Sequence, residues 1–292
     1  MKTACLAIAA LSGLFLTMGF LGYLHPMFDA LAIGRWIAIY VLLLCLFLLV
    51  LLNRMYVLAA LALATLVLVV ANSRIAGDGE AGKIRVYTKN LWHRNVEITA
   101  LAADIANANP DIVVLQEVSE NNVALMSDLQ SILPHQVRCP WQGWNGIAIL
   151  SRWPLSNDAT RCSPERSLMA VKVIGHDGPF WVVGVHLQQP WPDVQWAHLE
   201  RALPVLSEVN GNAIVAGDFN TVPWSAAAKT IGHLTNAKVI PPRLTTFRLW
   251  GVGLPLDQVW ALGGKAELRP MIGSDHYGVV ADVWPSNPTA RD

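Results

Sequence analysis

Three long apolar runs in the first quarter of the chain most constrain how it can fold. They cover about residues 5–24, 36–52 and 55–71. Each is close to the length that a helix needs to cross a hydrocarbon core, roughly 20 residues with a lower limit of about 17. The chain is 53% hydrophobic and only 14% charged, and most of the apolar excess lies in these runs. The sequence therefore predicts a transmembrane region of about three helices over residues 1–72.

The first run has an alternative explanation, because it follows Lys2 and has the position of a cleaved signal peptide. It is longer than a usual signal core, however, and no convincing small-x-small cleavage site precedes His25. We expect it to be retained. With three spans, the amino terminus and the rest of the chain lie on opposite sides of a membrane. The few flanking Lys and Arg residues, taken literally, favour a cytoplasmic carboxyl-terminal domain.

The cysteines favour the opposite orientation. Cys5 and Cys45 lie inside predicted spans, whereas Cys139 and Cys162 lie in the later part of the chain. A pair with no third partner suits a disulfide, which is typical of an oxidising space outside the cytoplasm. Two unrelated thiols are an equal alternative. We give the cysteine pair more weight than the small charge difference and expect an extracytoplasmic domain.

A short polar stretch separates the apolar runs from the remaining chain. Residues 73–82 are rich in glycine and charged side chains, which is typical of a linker. The formal net charge of the whole chain is zero, and from residue 72 onward 18 basic residues face 20 acidic ones. Such a chain has no overall positive field to gather nucleic acid. The balance argues against a tight, non-specific DNA-binding protein.

The carboxyl-terminal domain, residues 83–292, mixes strand and helix patterns. Alternating or continuous apolar runs predict strands, and apolar residues at helical spacing predict helices. The predicted strands cover 83–92, 111–118, 146–151, 167–174, 180–187, 213–219, 245–249, 256–260, 266–271 and 277–284. The predicted helices cover 96–108, 122–133, 194–209 and a short segment after residue 223. This order predicts an α+β fold, a four-layer sandwich of two packed β-sheets flanked by helices.

Polar side chains recur at the ends of these strands. The clearest case follows the apolar run 213–215, where Asp218 and Asn220 fall on the same face of an extended chain. An Asx-rich turn would explain that stretch alone. Burying several unpaired acids would cost several kcal/mol each, and a metal site accounts for the whole set economically. The other members of the set are Asn90, Glu117, His186, Asp257, Ser274, Asp275 and His276.

The ordered motifs resemble the endonuclease/exonuclease/phosphatase family, which has the DNase I-like fold. They cover about residues 83–284, and the ordered set is specific although each motif alone is weak. The apolar runs lie outside the resemblance, but membrane-tethered bacterial members have a similar layout, which implies a bacterial inner membrane. The motifs are Asn90-Leu91, Leu115-Gln116-Glu117-Val118, Gly146-Ile147-Ala148-Ile149-Leu150-Ser151-Arg152, Val185-His186-Leu187, Gly217-Asp218-Phe219-Asn220, Leu256-Asp257 and Ser274-Asp275-His276.

The resemblance implies a metal position for three residues. Glu117 would bind Mg²⁺, with Mn²⁺ as the alternative ion, because these ions prefer carboxylate oxygen and keep open positions for a substrate phosphate. Asn90 would lie beside the ion and bond a metal-bound water or a neighbouring acid. Asp275 would contribute to the same metal position or to a second one.

The resemblance also implies catalytic roles for five residues. Asp218 would orient and deprotonate the attacking water, and Asn220 would hold that water or a phosphate oxygen in line. His276 and His186 would donate hydrogen bonds to the phosphoryl oxygens as negative charge develops. Asp257 would fix the tautomer of His276 and favour its cationic form.

Together these features predict a membrane-anchored, Mg²⁺-dependent phosphoesterase that hydrolyses a phosphodiester or phosphomonoester by direct attack of water. A lipid or lipid-linked phosphate fits the membrane tether and the neutral charge. A metal-dependent endonuclease or exonuclease is the first alternative, and a non-catalytic membrane protein that keeps the fold for binding is the second. Three tryptophans lie near the motif-bearing strand ends: Trp191, Trp224 and Trp250. Most tryptophans pack in a protein core, but some contact a substrate or the bilayer.

Overall fold

The computed structural model describes residues 2–52, 79–139 and 146–285. The predicted third span, residues 55–71, and most of the predicted linker lie outside the described residues. The described helices are α1 (Lys2–Phe20), α2 (Pro26–Ala30), α3 (Arg35–Leu52), α4 (Ile98–Ala108), α5 (Ala124–Asp128), α6 (Gln195–Ser207) and α7 (Ala226–Leu234). The described strands are β1 (Ile84–Asn90), β2 (Ile112–Val118), β3 (His135–Arg138), β4 (Gly146–Ser151), β5 (Leu155–Cys162), β6 (Leu168–Gly175), β7 (Gly178–His186), β8 (Ala213–Asp218), β9 (Lys238–Val239), β10 (Phe247–Leu249), β11 (Val252–Leu254), β12 (Asp257–Ala261), β13 (Gly263–Arg269) and β14 (Gly278–Trp284).

Two six-stranded mixed sheets form the centre of the carboxyl-terminal domain. The first has the order β13-β14-β1-β2-β4-β3, and the second has the order β5-β6-β7-β8-β12-β9. In the first sheet β1 and β2 are parallel, and in the second β7 and β8 are parallel. The strands β10 and β11 form a separate hairpin. The predicted sandwich of two packed sheets flanked by helices is confirmed.

Alternation along the central strands explains the layering. In β1, Val86 lies in the core between the two sheets, whereas Tyr87 packs under the helices on the outer face. In β2, Val114 lies in the core between the sheets and Leu115 packs on the outer face. These two side chains and the two in β1 are fully buried. A strand covered on both faces needs a continuous apolar run rather than an alternating one. That requirement explains the run of apolar residues in β2.

Most predicted elements agree with the structure to within a few residues, and the differences have local causes. The first apolar run ends its helix at Phe20, and α2 follows, which the sequence pattern did not predict. The predicted helix 122–133 contains only the short α5, with turns on both sides. The strand β5 was not predicted because Ser, Asn, Asp, Thr and Arg interrupt its apolar pattern, and its pairing with β6 is irregular.

The helices α1 and α3 pack against each other and carry many exposed apolar side chains. Their mean hydropathies are 1.9 and 2.7, and by length and composition alone both could cross a membrane. The short helix α2 between them contacts the carboxyl-terminal domain through Asp29, which is only 2% exposed. Its carboxylate accepts hydrogen bonds from the Ala226 N–H (2.5 Å), the Ala227 N–H (3.0 Å) and the indole N–H of Trp196 (3.0 Å). An acid from the helical region therefore caps the start of α7.

A disulfide joins Cys139 and Cys162. Of the two alternatives that the sequence leaves open, the structure shows the paired one. Cys139 directly follows β3, an edge strand of the first sheet, and Cys162 ends β5, an edge strand of the second. The bond therefore links the two sheets at one edge of the sandwich. Cys5 and Cys45 are buried free thiols.

Candidate active site

Strand pairing in the second sheet brings three predicted site residues into a row. In the parallel pair β7 and β8, His186 lies beside Asp218. In the antiparallel pair β8 and β12, Asp257 lies beside Asp218 on the other side. All three side chains are buried. Gly217, which precedes Asp218, has a φ of +144°, and a Cβ there would lie 2.0 Å from the Val185 carbonyl oxygen, so this strand end requires glycine.

The first sheet contributes Asn90 and Glu117 from the neighbouring ends of β1 and β2. Asn90 is paired with Gln116, the residue before Glu117. The register between β2 and β4 shifts across Glu117, and its φ is +54°, so it occupies a bulge in left-handed conformation. Bulges re-aim a side chain relative to the regular strand. The bulge explains how an acid in a buried strand reaches the cavity at the sheet end.

The Asn90 amide joins carboxylates from the two sheets. Its Nδ2 donates to Glu117 Oε1 at 3.1 Å and to Asp218 Oδ2 at 3.0 Å. Its Oδ1 accepts a hydrogen bond from the Trp92 N–H at 2.9 Å. Asn90 thus holds the two acids beside each other, while its own oxygen is bonded to the backbone.

Glu117 is surrounded by hydrogen-bond donors. Its Oε2 accepts from the His93 N–H at 3.0 Å and lies 3.1 Å from His93 Nδ1. Its Oε1 lies 3.8 Å from His186 Nε2. Burial alone would raise the pKa of Glu117, but His186, the His93 N–H and the Asn90 amide outweigh burial and hold its pKa below the usual range. The sequence did not single out His93, although it follows Asn90 by three residues.

Asp218 has the opposite electrostatic balance. It is 1% exposed, and its Oδ1 accepts a hydrogen bond from the Asn220 N–H at 2.7 Å. Its Oδ2 lies 3.9 Å from His276 Nε2. Burial dominates and raises the pKa of Asp218, with His276 acting in the other direction and Asp257 adding to the rise. The side-chain amide of Asn220 donates to the Leu187 carbonyl oxygen at 2.8 Å, which fixes its position beside Asp218.

His276 pairs with Asp257 across the site. His276 Nδ1 lies 2.8 Å from Asp257 Oδ2, and both side chains are buried. Burial lowers the pKa of His276, but the Asp257 and Asp218 carboxylates raise it more strongly, to about 10. His276 is therefore a cation at neutral pH. The ring of Phe247 lies against it, with 4.8 Å between ring centroids.

The loop that bears His276 is fixed by Lys89, which the sequence analysis did not predict as part of the site. Lys89 is fully buried, and its Nζ donates to the carbonyl oxygens of Met271 (2.5 Å) and His276 (2.6 Å). Ser274 completes the support: its Oγ donates to the Asn90 carbonyl oxygen at 2.7 Å and accepts from the His276 N–H at 3.1 Å. Burial lowers the pKa of Lys89 to about 8. A lysine in a strand is usually solvated, which is why its sequence position carried no signal.

Seven of the eight predicted site residues line one cavity of about 450 Å³. Asp257 is the exception and reaches the cavity through its hydrogen bond to His276. Asp275 lines the cavity and is exposed. Within the part of the chain that the structure describes, Trp191, Trp224 and Trp250 do not line it. The same cavity is also lined by the apolar side chains of Ile33, Phe247, Leu249, Leu254 and Leu256.

Two arrangements of side chains could hold a metal ion. Asp218, Asp257 and His276 present ligand atoms within 4.8 Å of one another. His276 is already paired with Asp257 and cationic, however, and a histidine must be neutral to bind a metal. Glu117 is ionised, lines the cavity and offers carboxylate oxygen, which Mg²⁺ prefers. The carboxylate oxygens of Glu117 are therefore better metal ligands for the expected Mg²⁺ than the cluster that contains His276.

The family model described as Endonuclease/Exonuclease/phosphatase family matches residues 87–276. This range begins in β1, ends at His276 and contains all eight predicted site residues. The chain belongs to the endonuclease/exonuclease/phosphatase family. Members of this family are typically metal-dependent phosphoesterases or nucleases. No curated protein matches the sequence.

Solved structures with the same fold come from several organisms. A member of the endonuclease/exonuclease/phosphatase family from Leptotrichia buccalis is 17% identical, with a TM-score of 0.54 over 69% of this chain and 99% of its own. The 3′ phosphatase NExo from Neisseria, bound to product DNA hairpin, is 20% identical, with a TM-score of 0.54 over 69% and 99%. A beta toxin from Staphylococcus aureus with bound magnesium ions is 13% identical, with a TM-score of 0.54 over 69% and 100%. At these identities the likeness shows the fold.

Proposed function

We propose that the chain is a membrane-anchored, Mg²⁺-dependent phosphoesterase that hydrolyses a phosphodiester or phosphomonoester of a lipid or lipid-linked compound by direct attack of water. One observation carries the proposal. A single amide, that of Asn90, holds two carboxylates whose pKa values are shifted in opposite directions, with Glu117 lowered and Asp218 raised. When the pKa values of two neighbouring acids differ in this way, the acid with the lower pKa stays ionised and the acid with the higher pKa can accept a proton. Here Glu117 is the first and Asp218 the second.

Asp218 is suited to remove the proton from the attacking water. Its pKa is raised toward neutral pH, and a carboxylate with a higher pKa is a stronger base. The Asn220 N–H holds Oδ1, so the carboxylate cannot rotate freely. Asn220 also lines the cavity and would orient the water or a phosphate oxygen. The step needs no covalent intermediate, because the water attacks phosphorus while Asp218 takes its proton.

The histidines are suited to bind the phosphoryl group. Because Asp257 occupies Nδ1 of His276, the Nε2–H of the same cationic ring is available to donate to a phosphoryl oxygen. A positioned cation stabilises the negative charge that develops in the transition state. His186 lines the same cavity and would supply a second donor. Asp257 is the group that orients His276 and keeps it protonated.

A bound Mg²⁺ would polarise the phosphoryl oxygens and neutralise part of their charge. Glu117 and Asp275 are the residues that would hold it, with Asn90 beside them. Glu117 remains ionised for this role because of its lowered pKa, and His93 holds its second oxygen in place. Two observations support this assignment: Glu117, Asp275 and Asn90 carry the oxygen ligands that Mg²⁺ prefers, and all three line one cavity.

A lipid substrate is supported by the apolar side chains that line part of the cavity. Ile33, which lies between α1 and α3, lines the cavity together with four apolar side chains of the carboxyl-terminal domain. The helical region therefore forms part of the site instead of being a distant tether. The neutral overall charge gives no comparable support to a nuclease.

The test is a panel of substrates incubated with the full-length protein, with Mg²⁺ and with EDTA. The panel contains sphingomyelin, phosphoinositides, single- and double-stranded DNA, and bis(p-nitrophenyl) phosphate. We expect Mg²⁺-dependent turnover of a lipid that Asp218→Asn lowers by a factor of about 10³ or more. Asp193→Asn is the matched control, because Asp193 is an exposed acid at the same cavity. Turnover of DNA alone would favour a nuclease, and no turnover of any substrate would leave a non-catalytic binding protein.

We also propose that the catalytic domain lies outside the cytoplasm, in a bacterial inner membrane protein. The disulfide between Cys139 and Cys162 supports this side, because cytosolic thiols are kept reduced. A membrane-impermeant maleimide, applied to intact cells before and after reduction, tests it. We expect labelling of both cysteines only after reduction. Free thiols in the native protein would remove the argument.

A further inference from the structure

A groove of about 390 Å³ lies between the start of α3 and the carboxyl-terminal domain. The helical side is formed by Ile33, Trp36, Ile37 and Tyr40. The domain side is formed by residues 242–245 and 252–255 and by Trp224. Most of these side chains are apolar or aromatic. The groove thus offers an apolar surface outside the site that hydrolyses the ester.

The groove adjoins the cavity of the active site. Ile33 and Leu254 line both spaces, so the two spaces meet at these side chains. In the cavity they are two of the apolar residues that line it together with the histidines and carboxylates. A molecule with a polar group at His276 would therefore have its apolar part directed toward the groove.

The groove is open toward the face of α3 that would contact lipid. Ile37 and Tyr40 are three residues apart in α3, which places them on one face of the helix, and Ile33 lies in the turn just before it. Ile37 is 51% exposed and Tyr40 is 63% exposed. Leu44, one turn further along α3, continues this face and is 58% exposed, but it lies beyond the groove. If α3 spans the bilayer, this face leads from the acyl-chain region to the groove.

Hydrogen bonds between the helical region and the domain fix the two walls of the groove. The indole N–H of Trp224, itself a lining residue, donates to the Ala32 carbonyl oxygen at 2.8 Å. Asp29 accepts from the start of α7 and from Trp196. The groove is therefore a preformed feature of the chain, and its distance from the active site is set by these contacts.

We propose that the groove holds an acyl chain of a membrane lipid while the phosphate ester of that lipid occupies the active-site cavity. This inference rests on the proposed phosphoesterase function and deepens it, because it assigns the substrate class to long-chain lipids. A chain that moves from the bilayer into the groove exchanges one apolar surrounding for another, so the driving force is small. The groove therefore orients the lipid. It shields the acyl chain from water while the head group leaves the bilayer and enters the active-site cavity.

Photo-crosslinking tests the groove without depending on turnover. The full-length protein is placed in phosphatidylglycerol and phosphatidylcholine vesicles in which a fraction of the lipid carries a diazirine on an acyl chain. We expect label on the peptide that spans residues 242–255 as well as along α3. Ile37→Trp, which fills the groove, is expected to lower the label on that peptide at least fivefold and to keep the label along α3.

Two further variants make this experiment decisive. Val252→Trp fills the groove from the domain side and should repeat the loss, so the result does not depend on one substitution in a helix. Leu44→Trp adds the same side chain one turn beyond the groove and should label like the wild type. Absence of label on the 242–255 peptide in the wild type would overturn the proposal. Equal labelling of that peptide in the two groove variants and the wild type would also overturn it.

Activity measurements separate this inference from the proposed function. The measurement is kcat/KM for a long-chain lipid that the wild type hydrolyses, divided by kcat/KM for bis(p-nitrophenyl) phosphate. We expect Ile37→Trp to lower this ratio at least tenfold. An unchanged ratio would overturn the acyl-chain role while leaving the phosphoesterase intact. If the wild type hydrolyses neither substrate, the proposed function fails, and the crosslinking result still decides whether the groove binds lipid.

Discussion

His276 and Asp257 are joined by a 2.8 Å hydrogen bond although they belong to different sheets of the sandwich. His276 precedes β14 of the first sheet, and Asp257 begins β12 of the second. Three other contacts of the site also cross between the sheets: Asn90 to Asp218 at 3.0 Å, Glu117 to His186 at 3.8 Å and His276 to Asp218 at 3.9 Å. The site therefore exists only when the sheets are packed in the correct register.

The first prediction concerns this pair. Asp257→Asn should lower kcat by a factor of about 10²–10⁴, because His276 loses the group that orients it and keeps it cationic. The alkaline limb of the pH–rate profile should also move to lower pH, since the pKa of about 10 depends on the Asp257 carboxylate. The measurement is the pH–rate profile of both proteins. A lower rate with an unmoved alkaline limb would contradict the electrostatic role.

The same pair should affect stability. The pKa of His276 rises from 6.5 when unfolded to about 10 when folded, so its contribution is fully present below pH 6.5 and is lost as pH rises through 10. We expect the Tm of the EDTA-treated wild type in detergent to fall over this range relative to that of His276→Gln. Comparing the two proteins cancels the titration of Lys89, whose lowered pKa acts in the opposite direction. Parallel Tm curves would refute the prediction.

Metal binding should depend on Glu117. Glu117→Gln removes the charge that draws Mg²⁺ and should weaken Mg²⁺ binding by a factor of about 10–100, measured by isothermal titration calorimetry. Glu120→Gln is the control, because Glu120 is an exposed acid three residues away. The result would go against Glu117 as a ligand if both variants kept the wild-type affinity.

Gly217 should not tolerate a side chain. Gly217→Ala places a Cβ 2.0 Å from the Val185 carbonyl oxygen at a φ of +144°, so β7 and β8 must separate or the backbone must change. We expect a loss of stability on the order of 3 kcal/mol or more and a matching loss of activity, measured by thermal unfolding. Gly263→Ala is the control, because no atom lies within 4 Å of the added Cβ. Equal Tm values for the two variants would exclude the steric argument.

Asp29 should hold the helical region against the domain. Asp29→Ala removes the acceptor for the N–H groups of Ala226 and Ala227, at a cost of about 1–3 kcal/mol. We expect faster hydrogen exchange at the start of α7 in the variant, measured by mass spectrometry. Unchanged exchange there would show that solvent replaces the carboxylate without loss. Asp29→Asn, which keeps one acceptor oxygen, should have a smaller effect.

Much of the site was predictable because its residues follow apolar strands. Asp218 and His186 end such strands, whereas Asn220 lies two residues beyond β8 with a φ of +47°, so the turn after the strand and not side-chain alternation positions it. The register that puts His186 beside Asp218 was not predictable, because it depends on how two distant segments pair. The same holds for the bulge at Glu117, which is visible only against its partner strand β4.

The missed residues share a physical reason. Lys89 is a charged residue whose burial depends on carbonyl groups more than 180 residues later in the chain. His93 lies in a turn and contacts Glu117 only once β1 and β2 have paired. Asp29 lies between two apolar runs, where a charged side chain is expected to be exposed to solvent, and its partners follow 167 to 198 residues later in the chain. Local patterns identify strands and helices, but these contacts arise from tertiary packing.

The hydrogen bond from Trp224 to the Ala32 carbonyl oxygen has a kinetic consequence. If the helical region spans a bilayer, as proposed, a site held against it would meet a lipid substrate by lateral diffusion within the plane of that bilayer. Its rate should then follow the mole fraction of substrate among the surrounding lipids and be insensitive to the total amount of vesicles. Diluting the substrate with inert lipid would slow such an enzyme, whereas diluting the suspension with buffer would not.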